Sequence, residues 1–151
     1  MDIAVKPRGC TNLKLRQLMR RVAQHYDLEV GKTGLKGTQY SLLSYVVKLG
    51  PIRPGDLARE LKIGPSTLTR NLRPLIDAGL LALGPGADGR SRLVSVTDAG
   101  REKRQEAQRR WRVAQENLNQ TLGLRRVVQL HALIDESLDL LSPVSDGKTD
   151  E

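Results

Sequence analysis

Apolar residues recur along this chain mostly at intervals of three and four, and turn to strict alternation only once, the signature of a helical protein with one small β element. From about Thr11 to Val30, Leu15, Leu18, Met19 and Val22 share a helical face, and "GKTG" (31–34) closes the segment. A second helix fits Thr38 to Leu49, with Leu42, Leu43, Val46 and Val47 apolar and Gly50-Pro51 as its stop. "RPGDLARELKIG" gives a third, short helix with Leu57, Ala58 and Leu61 inward and Gly64 ending the turn.

The fourth helix is "IGPSTLTRNLRPLIDAGLL" (63–81), with Gly64 as N-cap and Pro65 at the first helical position, where its missing N–H does no harm. At about 100° per residue, Leu68, Leu72, Leu75, Ile76 and Gly79 fall on one face. The opposite arc holds Ser66, Thr67, Arg70 and Arg73, with Asn71 on its flank. Pro74 lies on the solvent side and cannot bond back to the Arg70 carbonyl, so a bend convex to the outside is expected. "LLALGPGADGRSRLVSVT" then reads as two short strands around a Gly, Pro and Asp turn, because Val94 and Val96 alternate with Ser95 and Thr97. Thr97 or Asp98 caps a long polar helix running to about Leu122. Gly123 breaks it, and Leu124 to Leu141 forms a last amphipathic helix.

The fold class expected is mostly α with a small β-hairpin wing (α+β): a winged helix-turn-helix core plus a helical dimerisation region. Residues 1–9 are a flexible N-terminus, 10–50 and 98–141 the helical dimerisation region, 51–97 the winged unit, and 142–151 a disordered tail. The outer helices carry more apolar side chains than one thin domain can bury, which points to a second copy of the chain as cover.

Charge sharpens the picture. Lys and Arg number 25 against 17 Asp and Glu, a formal net charge of +8. Between Arg53 and Arg110 lie 12 basic and 7 acidic residues, a surplus of 5, so most of the excess sits in or beside the winged unit. A polyanionic partner suits this balance. With three Tyr, one Trp and no Phe, the chain lacks the aromatic platforms that stack single-stranded bases, and duplex DNA is the more natural polyanion. A single cysteine excludes an intramolecular disulfide and a multi-cysteine zinc site, and fits a reducing cytoplasm. His25 and His131 stand without a ligand cluster, so neither metal nor cofactor is expected. No membrane span, signal peptide, nucleophile elbow, Walker loop or dinucleotide signature is present. "GPGADG" serves a hairpin turn.

The fourth helix has the composition that a major groove requires. Ser66 and Thr67 suit a phosphate or base edge, Arg70 and Asn71 suit base edges, and Arg73 suits a phosphate. At the hairpin tip, "DGRSR" offers Arg90 and Arg92 to a minor groove, with Asp88 expected to pair with an arginine and aim it. The plainer readings are a solvated helix face and an ordinary charged turn. The run "REKRQEAQRRWR" at the start of the long helix either reaches flanking phosphates or is itself a solvated face.

Three segments resemble the MarR family of bacterial transcription regulators: "GLKGTQYSLL" (34–43), "DLARELKIGPSTLTRNLRPLIDAGLL" (56–81) and "DGRSRLVSVTDAGR" (88–101). The resemblance runs from about Leu15 to Leu141, and Pro74 belongs to an "NLRPL" variant found within the family. It implies an obligate homodimer built from the first and the last two helices, palindromic duplex DNA as partner, and repression by promoter occupancy that a small ligand often relieves. It assigns DNA contact to Ser66, Thr67, Arg70 and Asn71 and to Arg90 of the wing. Two half-sites about one helical turn, ~10 bp, apart are the geometry for such a dimer. Some relatives sense peroxides through an N-terminal cysteine. Here Cys10 is the thiol, with Lys6, Arg8 and Lys14 nearby, although the matching position falls nearer Asn12. Other relatives bind aromatic acids in a cleft between the dimer helices and the winged unit. For that lining the candidates are His25, Tyr26, Tyr40, Tyr45 and Trp111, with Arg16 or Arg20 for a carboxylate, against simple packing at the dimer seam. The rivals to a DNA-binding repressor are a protein-interaction module using the winged helix and a redox sensor using Cys10.

Overall fold

The computed structural model describes residues 6–142. Its elements are α1 (Thr11–Val30), a 3-10 turn (Gly31–Thr33), α2 (Gly37–Leu49), α3 (Pro54–Leu61), α4 (Pro65–Asp77), β1 (Leu81–Pro85), β2 (Arg92–Val96), α5 (Asp98–Leu122) and α6 (Leu124–Leu140). The class is mostly α with a two-stranded antiparallel wing, a winged helix-turn-helix. Residues 6–10 precede α1 without regular structure and are exposed. The rest of the expected flexible N-terminus, and all of the expected tail except Ser142, lie outside the described residues.

The chain divides into two compact units, one up to Gln115 and one from Glu116. The first is built on α2. Leu42, Leu43 and Val46 are buried there as the helical spacing requires, together with Tyr40. α2 packs on α1, α3, α4 and β2. Leu43, Leu57, Leu68, Leu75, Leu81, Val30, Val46 and Val94 are the largest fully buried side chains. Each contributes about 1.5–3 kcal/mol of burial.

The hairpin registers Leu81 with Val96, Leu83 with Val94 and Pro85 with Arg92. A third backbone segment joins it: Ile52 and Val94 exchange N–H···O bonds of 3.0 and 2.8 Å. The wing is thereby tied to the entry of α3.

Both helix ends in the helix-turn-helix close in the same way. The N–H of Ile63 bonds to the Ala58 carbonyl and that of Lys62 to the Arg59 carbonyl, and Lys62 takes the left-handed conformation (φ 56°). The N–H of Leu80 bonds to Leu75 and that of Gly79 to Ile76, with Gly79 left-handed (φ 74°). This is the reverse turn that satisfies the last carbonyls of a helix. Two expectations change as a result. Lys62, not Gly64, ends α3, which leaves Gly64 free to serve as the N-cap of α4 ahead of Pro65. Gly79 lies beyond α4, because the turn has already reversed the chain there. α4 itself continues through Pro74 to Asp77.

Thr97 caps α5. Its hydroxyl accepts the Gly100 N–H (3.0 Å) and donates to the Gly79 carbonyl (2.6 Å). Gly100 is buried in that joint, where a Cβ would overlap the Leu80 carbonyl and press on Val96. In the second unit, Leu118 and Val127 are buried, while Leu124, Val128, Leu133, Leu140 and Leu141 are exposed. No described helix is long and apolar enough to cross a membrane.

Candidate nucleic-acid interface

Burying Leu68, Leu72 and Leu75 fixes what α4 turns outward. Ser66, Thr67, Arg70, Asn71 and Arg73 are all exposed. Arg70 stands opposite the buried stripe, and Asn71 lies one step of about 100° round, at the edge of the core. The only acid on α4 is Asp77, its last residue. From Ser66 to Arg73 the helix therefore offers hydroxyls, an amide and two guanidiniums with no competing carboxylate, the groups that phosphates and base edges take.

The wing places Arg90 and Arg92 in solvent. Asp88 shapes its tip, though not in the way expected. Its carboxylate accepts the backbone N–H groups of Arg90 (3.0 Å) and Ser91 (2.9 Å) and the Ser91 hydroxyl (2.7 Å), and among the described residues no arginine forms an ion pair with it. The backbone of a tight turn reaches the carboxylate before a long side chain does, so Asp88 aims Arg90 through the main chain. The Ser91 hydroxyl first, then these N–H groups, hold the carboxyl down to about 2, with a further contribution from the positive charge of Arg53. Arg53 is exposed at the N-cap of α3. Its place beside the wing follows from the Ile52–Val94 pairing, which no local spacing reveals.

The basic run of α5 is divided in its duties. Lys103 donates to the Thr33 carbonyl (3.1 Å), and Arg104 to Gln108 (3.0 Å) and Ser44 (3.5 Å). Arg110 pairs with Glu29 at 3.7 Å, which also holds Lys32. Arg101, Arg109 and Arg112 are exposed.

A cavity of about 520 Å³ opens among α1, α2, the α3–α4 turn and α5. Met19, Val22, Leu42 and Ile63 give it apolar walls. Tyr26 and Trp111 line it and stack on each other with ring centroids 6.3 Å apart. The Tyr26 hydroxyl donates to Gln115, and burial pushes its pKa up. Tyr40 is buried behind, 6.2 Å from Trp111, while His25, Tyr45, Arg16 and Arg20 are not among the lining residues. Arg16 and Arg20 are exposed on α1. The cation at this cavity is Lys36, and its carboxylate is Asp27, which accepts the Gly37 N–H at 2.9 Å. Neither had a signal in the sequence, since both come to line one cavity only through the packing of α1 against α2. Asn71 also reaches the cavity, as the single contribution of α4. Cys10 is exposed at the N-cap of α1. Among the described residues no group of His, Cys, Asp and Glu could hold a metal ion.

Comparison with known proteins extends this geometry. The sequence profile described as the MarR family matches residues 33–91. An HTH-type transcriptional regulator of Mycobacterium bovis is 35% identical over 108 residues, covering 66% of this chain and 76% of the relative. Among solved structures, a probable transcriptional regulator from Pseudomonas aeruginosa superposes with a TM-score of 0.76 at 26% identity, over 83% of this chain and 95% of that one. The M. tuberculosis regulator MosR, solved in complex with DNA, gives 0.71 at 28% identity, over 85% and 98%. PcaV of Streptomyces coelicolor, solved with its natural ligand, shares the fold with a TM-score of 0.78 at 19% identity, over 90% and 96%.

Proposed function

Because this chain belongs to the MarR family of transcriptional regulators, we propose that it acts in the cytoplasm as a homodimeric repressor on palindromic duplex DNA. It is a DNA-binding regulator and not an enzyme. The observation that carries the reading is the arginine-bearing outer arc of α4, whose one acid is Asp77 at its far end, beside an arginine-tipped wing. In this reading α4 enters the major groove. Arg70 forks onto a guanine, Asn71 pairs an adenine, and Ser66, Thr67 and Arg73 meet phosphates and nearby edges. Arg90 and Arg92 take the neighbouring minor groove, and occupancy of the promoter blocks transcription.

Two further features support the dimer and the effector. Leu15 and Met19 on α1 are 57% and 67% exposed, and Leu133 on α6 is 61% exposed. Apolar faces of this kind are normally covered by another copy or partner. We assign the cavity to a small aromatic effector, with Tyr26 and Trp111 as its ring-stacking wall and Lys36 as the cation nearest an acidic substituent.

A mobility shift with the duplex upstream of the chain's own gene tests the reading. Binding weakens with salt by roughly 0.9 in log affinity per log salt for each neutralised phosphate. Arg70→Ala lowers affinity by about 1–3 kcal/mol and relaxes base preference, whereas Arg90→Ala weakens binding with less change in preference. No shift at low salt, or two silent substitutions, would reject the assignment and favour a protein partner for the winged helix.

A further inference from the structure

The cavity and the proposed DNA-reading face share one side chain. Asn71 is exposed on α4, one step of about 100° from Arg70, and it is also the single α4 residue lining the cavity. The other walls come from α1, α2 with Lys36 before it, α5, and the end of α3 with the turn that follows, so an occupant meets the reading helix at this residue. Among the described residues the Asn71 side chain has no hydrogen-bond partner, unlike the Tyr26 hydroxyl and the Asp27 carboxylate in the same cavity. The amide is therefore not committed to the fold.

Resting on the function proposed for α4, we propose that Asn71 is the sensor. A cavity occupant and the operator compete for one amide. Recognition of adenine by asparagine uses both ends of the amide, the oxygen toward N6 and the NH2 toward N7. An occupant that bonds to either end turns the group and removes the pair in each half-site. The occupant this requires is a compact planar ring, held between the apolar wall and the Tyr26–Trp111 pair, with a hydrogen-bonding substituent that reaches across to α4. The release signal then needs no displacement of the whole winged unit.

A tethered occupant tests this whatever the natural effector is. In a Cys10→Ser background, Ser41→Cys places a thiol on the cavity wall, since Ser41 is exposed there on α2. Reaction with 5,5′-dithiobis(2-nitrobenzoate) leaves one aromatic acid attached by a disulfide and releases one equivalent of coloured thiolate, which gives the extent of labelling. Affinity for the upstream duplex is compared at low salt before labelling, after labelling and after release with dithiothreitol. The same series is repeated with Asn71→Ala, and Thr38→Cys replaces Ser41→Cys if that thiol is unreactive. The label is expected to weaken binding about tenfold or more when Asn71 is present, reversibly, and less than about twofold when it is alanine. Equal losses in both backgrounds, or no loss in either, would overturn the role of Asn71. Absence of binding by the unlabelled chain would overturn the DNA-reading proposal, and this one with it.

Discussion

Asp88 shows how one side chain serves a surface of opposite charge. It lies among arginines on a face proposed for a polyanion, yet its lone pairs are spent on the turn that carries Arg90. Its carboxyl sits at about 2, below the ordinary 3.8, so the native state binds fewer protons at this site than the unfolded chain. The contribution of this contact is therefore complete above pH 3.8 and is lost as the pH falls through about 2. The amide resonances of Arg90 and Ser91 should titrate with a midpoint near 2, and a midpoint near 4 would mean that the turn is not held in this way. The sequence pointed to Asp88 but not to its partner, because residue type cannot say whether a backbone N–H or a guanidinium arrives first. Thr97 is similar. Both it and Asp98 are capping types, and the choice follows from the Gly79 carbonyl, eighteen residues away in sequence, which takes the Thr97 hydroxyl.

At the scale of elements, the joints carry the information that periodicity cannot. α4 was legible because its apolar positions repeat on one face and its start combines Gly64 and Pro65. Its end was not, since Gly79 fits the buried stripe by angle but belongs to the turn that stops the helix. The cavity was only partly legible: Tyr26 and Trp111 were candidates by type, whereas Lys36 and Asp27 depend on the packing of α1 against α2. The joint between the wing and α5 gives a sharp prediction. A Cβ at Gly100 would overlap the Leu80 carbonyl, so Gly100→Ala should lower stability by about 1–3 kcal/mol in urea unfolding. An unchanged midpoint would show that α5 does not seat against the strand entry at this residue.

For the whole molecule, the proposal requires two copies. The exposed apolar residues of α6 sit in the second unit, and Leu133 and Leu138 together offer a direct handle. Light scattering should give twice the chain mass, and Leu133→Glu with Leu138→Glu should shift the population toward monomer and weaken operator binding. A wild-type monomer that still binds duplex with unchanged salt dependence would contradict the dimer. The central claim, paired α4 helices set in successive major grooves, is tested most directly by hydroxyl-radical and methylation footprinting on the upstream duplex. Two protected windows about 10 bp apart on one face of the helix, with guanines shielded in the major groove and the shielding lost in Arg70→Ala, are predicted. A single window, or guanines that remain reactive under saturating protein, would contradict it.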